Sequence, residues 1–208
     1  MSINLQKGQK IDLTKGGTGL TGIMVGLGWD EAVKSQSSGG FFSKLKSQPQ
    51  QYDFDCDASA ILLNEEGKLV GTGVNSCCVY FGNLRHPSNA IIHQGDNLTG
   101  AGDGDDEQIF VDLPRVPAEI HKIVFVVNIY DATPRGQHFG MISNAYIHLI
   151  DMQKNQEICN FNLSENYDGM TGLVVGELYR YKGEWKFNAI GQPVKEASRL
   201  NSLLYLYT

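Results

Sequence analysis

Short runs rich in Val, Ile, Tyr and Phe recur along almost the whole chain, each bounded by turn residues, and stretches with helical periodicity are scarce. The runs at Ile23–Trp29, Tyr52–Leu63, Cys77–Phe81, Gln108–Leu113 and Ile123–Tyr130 read as strands, as do Ala145–Ile150, Ile158–Phe161, Leu173–Tyr181, Trp185–Ile190 and Leu203–Tyr207. These residue types suit a pleated, half-buried surface. Tyr181–Trp185 has the composition of a hairpin turn. One short helix is expected over Pro193–Arg199. Strands at this spacing without intervening helices predict an all-β fold, a β-sandwich of two packed sheets with long loops and at most short helices. A chain of 208 residues, 41% of them hydrophobic and 24 of them glycine, suffices for one such domain over 1–208. Lys34–Gln51 (KSQSSGGFFSKLKSQPQQ) breaks the rhythm and reads as a flexible insertion loop.

Charge is distributed unevenly. Between His86 and Pro114 stand six acids (Asp96, Asp103, Asp105, Asp106, Glu107 and Asp112) and neither Lys nor Arg. Setting them aside leaves 17 acids against 17 bases, so the formal net charge of −6 resides in that window. A net-acidic chain without a Lys/Arg run argues against nucleic-acid binding, which needs clustered cations, and against an electrostatic membrane anchor. The N-terminal segment lacks the apolar core of a signal peptide, and no apolar stretch approaches the length of a membrane span. Cys56, Cys77, Cys78 and Cys159 do not resemble a disulfide framework. A cytoplasmic protein is the expectation.

Several familiar motifs fail on context. Gly17–Gly22 matches GxGxxG, but a strand-like run follows it where a dinucleotide site needs a helix. The five histidines show no zinc spacing. No nucleophile elbow or P-loop is present. The acidic window remains. In Gly95–Val111 (GDNLTGAGDGDDEQIFV) neighbouring carboxylates repel, while glycines free the backbone to turn carbonyls inward. Such a mixture of short oxygen-bearing side chains and carbonyls suits Ca²⁺, which takes six to eight oxygen ligands, better than Mg²⁺, Zn²⁺ or Cu²⁺. Asp53-Phe54-Asp55-Cys56-Asp57 imitates the opening of an EF-hand loop, yet Ala58 replaces its glycine and Asn64 its final glutamate. In an extended strand Asp53 and Asp57 lie about 13 Å apart, too far to share an ion, whereas Asp55 and Asp57 are separated by about half that.

These same segments carry a resemblance. GLGWD (26–30), DFDCDASAILL (53–63) and GDNLTGAGDGDDEQIFVDL (95–113) are similar to the tellurium-resistance TerD family, and FVVNIYDA (125–132), the stretch 139–147 and GELYRYKGEWKFNAIGQ (176–192) extend the likeness over nearly the whole chain. The resemblance implies a sandwich of C2-like appearance that binds calcium in acidic loops at one end. Its ligands fall on Asp55, Asp57, Asp96, Asn97, Asp103, Asp105, Asp106 and Glu107, holding two Ca²⁺ ions, with Asp30 and Asp53 as weaker candidates. It further implies a non-enzymatic role in tellurite and chemical-stress resistance, with other proteins of a stress-resistance system as partners, some of them at a membrane. The segment after Gln192 and the long 34–51 loop depart from the family pattern. Two rival readings of the acidic residues are a metal-dependent phosphohydrolase, for which only His93 lies near the window as a helper, and a scaffold in which Ca²⁺ merely staples the fold.

Overall fold

Two six-stranded sheets face each other across one core. In the computed structural model residues 2–17, 19–31, 54–95, 104–163 and 165–208 are described. The strands are β1 (Ile3–Asn4), β2 (Lys10–Asp12), β3 (Gly22–Glu31), β4 (Cys56–Leu63), β5 (Cys78–Val79), β6 (Ile91–His93), β7 (Glu107–Asp112), β8 (Lys122–Ile129), β9 (Ile142–Asp151), β10 (Gln156–Asn162), β11 (Gly172–Tyr181) and β12 (Glu184–Val194). One sheet runs β1-β10-β9-β3-β7-β6 and the other β2-β12-β11-β8-β4-β5. All pairings are antiparallel except β1 with β10. The N-terminal residues thus supply an edge to each sheet: Ile3 lies opposite Cys159, and Lys10 opposite Asn188.

Alternation sets the facing of each strand. Val25, Leu27 and Trp29 of β3, Ile109 and Val111 of β7, and Ile147 and Leu149 of β9 point between the sheets, where they meet Ala58, Ala60, Leu62, Phe125 and Phe187. The other face of the second sheet is also covered. Ile61, Leu63, Val124, Val126 and Val174 pack there against Ala197, Leu203 and Leu204. With both faces buried, β4 and β8 read as continuous apolar runs rather than alternating ones. The β11–β12 hairpin turns through Lys182 and Gly183, both at positive φ, directly after the pair Tyr181–Glu184. That is the geometry of a two-residue I′ turn.

Three expectations need correction. Leu203–Tyr207 is not a strand: helix α3 spans Leu200–Leu204 and a 3₁₀ turn follows over Tyr205–Tyr207. Leu200, Leu203, Leu204 and Tyr207 stand at i, i+3, i+4 and i+7 and all face the second core, so the apolar run has helical spacing. Pro193–Arg199 is not a helix; Pro193 and Val194 finish β12 opposite Leu173 and Gly172, and turns lead from there to α3. In Cys77–Phe81 only Cys78–Val79 is strand, because Cys77 closes the short helix α1 (Val74–Cys77). The short edge strands β1, β2 and β6 lack a periodic signal long enough to read. The insertion at 34–51 lies outside the described residues. No described helix is long and apolar enough to cross a membrane.

Candidate metal centre

The acidic residues gather where β3, β4 and β7 end together. Strand β5 reaches only Ala60 and Ile61 of β4, so the backbone of Ala58 looks out beyond it. Two side chains from the opposite sheet meet that backbone. Glu107 Oε2 accepts the Ala58 N–H at 2.7 Å, and His93 Nε2 lies 3.2 Å from both Ala58 O and Glu107 Oε2. The Gly95 N–H donates to His93 Nδ1 at 3.1 Å, which leaves Nε2 as the ring nitrogen that carries a hydrogen toward Ala58 and Glu107. Both side chains are fully buried. A glutamate and a histidine therefore stand in for a missing strand partner and tie the two sheets together at this end.

Asp105 lies over the outer face of the first sheet. Tyr146 Oη donates to Asp105 Oδ1 at 3.0 Å, and Gln108 Nε2 donates to Oδ2 at 3.1 Å. His148 Nε2 sits 2.9 Å and 3.0 Å from the two oxygens. The far nitrogen of His148 meets Glu157 Oε2 at 2.9 Å, and Ser2 Oγ bonds the same glutamate. Gly26 and Gly28, opposite His148 and Tyr146 in the β3–β9 ladder, make room for this network. A Cβ at Gly26 would come within 2.2 Å of Asp105 Oδ2, and one at Gly28 within 2.5 Å of the Tyr146 ring. Burial works against ionisation of Asp105, but the bonds and charge of His148 outweigh it and hold the carboxyl below its ordinary value. For His148 burial opposes charging, and the two carboxylates prevail, so its pKa is raised. The result is a carboxylate–histidine–carboxylate chain that favours the charged form of the imidazole.

Asp106, the next residue, behaves in the opposite way. Its Oδ2 accepts the Trp29 N–H at 2.8 Å and its own N–H donates to Leu27 O. Burial raises its pKa, against the Trp29 bond, and the like charges of Asp30 and Asp105 raise it further. Asp57 is buried on the outer face of β4 and accepts a bond from Asn128 Nδ2 at 3.2 Å across the β4–β8 ladder. Asp55, just before β4, has Arg135 at 3.7 Å. Asp30 Oδ2 accepts from Asn144 Nδ2 at 2.8 Å. The Cys56 thiol reports how close these groups are. Burial drives it well above its usual range, and the charges of Asp57, Glu107, Asp55 and Asp106 all add to the rise.

Of the eight sequence-derived ligand candidates, Asp55, Asp57, Asp106 and Glu107 are near enough to Cys56 for their charges to raise its thiol, on both faces of β4, and Asp105 is set apart in the His148 network. Asp96, Asn97 and Asp103 lie outside the described residues, as does Asp53. The gathered donors are carboxylate oxygens, a set that fits a hard cation. Among the described residues no three of them, with or without a His or Cys, stand close enough to hold an ion alone. The parts played by His93, Tyr146 and His148 are not visible in the spacing of the histidines. The available clue was the alternation of Gly26 with Gly28, which leaves one face of β3 bare.

The fold is that of a two-sheet β-sandwich protein with carboxylates collected at one end. The chain belongs to the TerD family: the TerD domain model matches residues 1–207. It is 49% identical over 207 residues to stress response protein SCP2 of Bacillus subtilis (strain 168), covering 100% of both chains. Identity to tellurium resistance protein TerD of Serratia marcescens is 41% over 192 residues, 92% of this chain and 91% of that one. Among solved structures, a homologue of telluride resistance protein (TerD) from Streptomyces coelicolor A3(2) superimposes with a TM-score of 0.60 at 19% identity, over 85% of this chain and 92% of that one. That last likeness concerns the fold alone.

Proposed function

We propose that this protein is a non-enzymatic calcium-binding module of a tellurite and chemical-stress resistance system. The single observation that carries the metal reading is the gathering of acids at this end of the sandwich, where burial and the like charges of Asp30 and Asp105 push Asp106 toward its protonated form. A divalent cation would relieve that repulsion and supply a fixed point for the acidic segment. Asp106 and Glu107 would hold it from one sheet, Asp55 and Asp57 from the other, and Asp96, Asn97 and Asp103 would complete the oxygen shells of two ions. Asp105 would instead anchor the segment to the first sheet through His148. The resistance role follows from family membership and from the names of relatives matched over 100% and 91% of their length. Ordering of the acidic segment would shape a surface for protein partners, in the cytoplasm.

The test is thermal and chemical unfolding in chelator, in Ca²⁺ and in Mg²⁺. Free Ca²⁺ at 100 times its Kd should add about 2.7 kcal/mol, with a smaller gain from Mg²⁺. Identical unfolding curves in chelator and millimolar Ca²⁺ would remove the reading.

A further inference from the structure

A second site opens where β1 and β10 part. The two strands pair only over Ile3 and Asn4, and Leu5 ends the contact by donating its N–H to Asn160 O at 2.7 Å. The chain then crosses to the other sheet, where the Gly8 N–H donates to Ala189 O at 2.6 Å. A gap of about 250 Å³ is left between the departing residues and the end of β10, with Asn4, Gln6, Phe161, Asn162 and Tyr167 among its walls. Close to the low end of the size range for small-molecule pockets, it suits a compact ligand. Lys7, on the departing chain, pairs with Glu165, beyond β10, at 2.7 Å. That ion pair joins the two walls, and no other residue lining the gap is charged.

The bonding groups that line the gap are unused. Leu163 donates its N–H to Ala145 O, so the main-chain groups of Leu163 turn toward β9. Those of its neighbour Asn162 turn the other way, past the point where β1 has left. No main-chain bond joins Asn162 to the departing chain. Asn162, Asn4 and Gln6 are exposed, and their carboxamides have no partner among the described residues. Tyr167 is different, because it is only 5% exposed. Its hydroxyl has no partner among the described residues either, yet the oxygen is not sealed from solvent. Burial and the charge of Glu165 push its pKa up to about 12, so it keeps its proton. A tyrosine hydroxyl buried to this degree normally finds a partner. Carboxamides and a phenol all supply both a donor and an acceptor. The neutral group that complements each of them is the hydroxyl, and several hydroxyls on one compact frame would engage them together.

We propose that this gap binds a small neutral polyol the size of a single sugar ring, its hydroxyls bonding to Tyr167 Oη, to the carboxamides of Asn4, Gln6 and Asn162 and to the free main-chain edge of Asn162. The proposal goes beyond the calcium reading and does not rest on it, since no residue of the gap is a candidate metal ligand. Titrations carried out in chelator therefore separate the failure of one from the failure of the other.

The experiment is a titration of the full chain with myo-inositol and with methyl α-glucopyranoside, followed by calorimetry and by backbone amide shifts, with cyclohexanol as the control. At least one of the two polyols should bind saturably with shifts at Leu5, Asn162 and Tyr167. Cyclohexanol should bind at least about tenfold more weakly, since it keeps the ring and only a single hydroxyl. Tyr167→Phe removes a hydroxyl that the fold leaves unpartnered, so it should weaken binding several-fold with an unchanged unfolding curve. Asn162→Ala, at an exposed strand end, should do the same. No saturable binding of either polyol up to about 10 mM, as from a gap that holds only water, would overturn the proposal. So would equal binding of polyol and cyclohexanol, or polyol binding indifferent to both variants.

Discussion

Asp105 and Glu107 are two residues apart, yet they serve opposite sides of the same sheet. Asp105 lies on the outer face, matched to a raised His148 and held by Tyr146 and Gln108. Glu107 points between the sheets, fully buried, and joins His93 on the backbone of Ala58. In a regular strand residues i and i+2 share a face. A bend at Asp106 breaks that rule just before β7 begins. The contrast shows how a run of acids can be divided by function. One carboxylate is paired with a histidine whose charged form it favours, one replaces a strand, and the one between them accumulates like charge.

The largest effect expected from breaking this division is at Glu107. Replacing it by Ala removes the carboxylate that accepts from the Ala58 N–H and from His93 Nε2, two hydrogen bonds to a charged group at about 1.5–3 kcal/mol each, and should cost about 3–5 kcal/mol. Urea unfolding of the variant in chelator measures this directly; a loss under about 1 kcal/mol would show that the pair does not tie the sheets. Asp105→Asn should be milder, about 1.5–3 kcal/mol, since bonds to a charged group are lost in part. Gly26→Ala should act in the same direction by driving a Cβ into the Asp105 carboxylate.

The pH dependence sharpens the same comparison. His148 has a raised pKa, so its contribution is complete below its ordinary value of 6.5 and is lost as pH rises through the higher folded value. Asp105 is lowered, so its contribution is present above 3.8 and disappears as pH falls through the lower folded value. In chelator the wild-type protein should therefore lose stability on the alkaline side of 6.5, and Asp105→Asn should flatten that decline. Equal slopes for the two proteins would separate Asp105 from the titration of His148. Asp106→Asn should have the smallest effect and the reverse sign. Asp106 has a raised pKa, so its charge weighs against the fold above that value, and the amide keeps an oxygen for the Trp29 N–H. The apoprotein should melt slightly higher at pH 7 while its gain from Ca²⁺ shrinks. A lower melting temperature would show that the charge itself is needed without metal.

Much of this architecture was legible in the sequence, and the reasons are local. β3, β8, β11 and β12 announce themselves by long β-rich runs, and the pairing of β11 with β12 follows from the turn at Lys182-Gly183. The C-terminal run misled because Leu203–Tyr207 alone is too short to show a period; the i, i+3, i+4, i+7 pattern needs Leu200. The acidic end was legible as composition. Its wiring was not, because Asp105 with His148 and Glu107 with His93 are pairings set by tertiary placement and by the bend at Asp106. Nor was Asn128 on its strand distinguishable from any other polar residue among apolar neighbours until Asp57 was seen opposite it.

The placement of the first strands has a consequence for synthesis. β1 and β2 close opposite sheets, but their partners β10 and β12 are made long after them. A ribosome adds residues at about 5–20 per second, so this segment waits many seconds for the strands it must join. For that interval it is an unpaired, sticky thread. Its sequence, SINLQKGQKID, is short, polar and interrupted by lysines and glycine, which makes it a poor seed for pairing between nascent chains on one messenger.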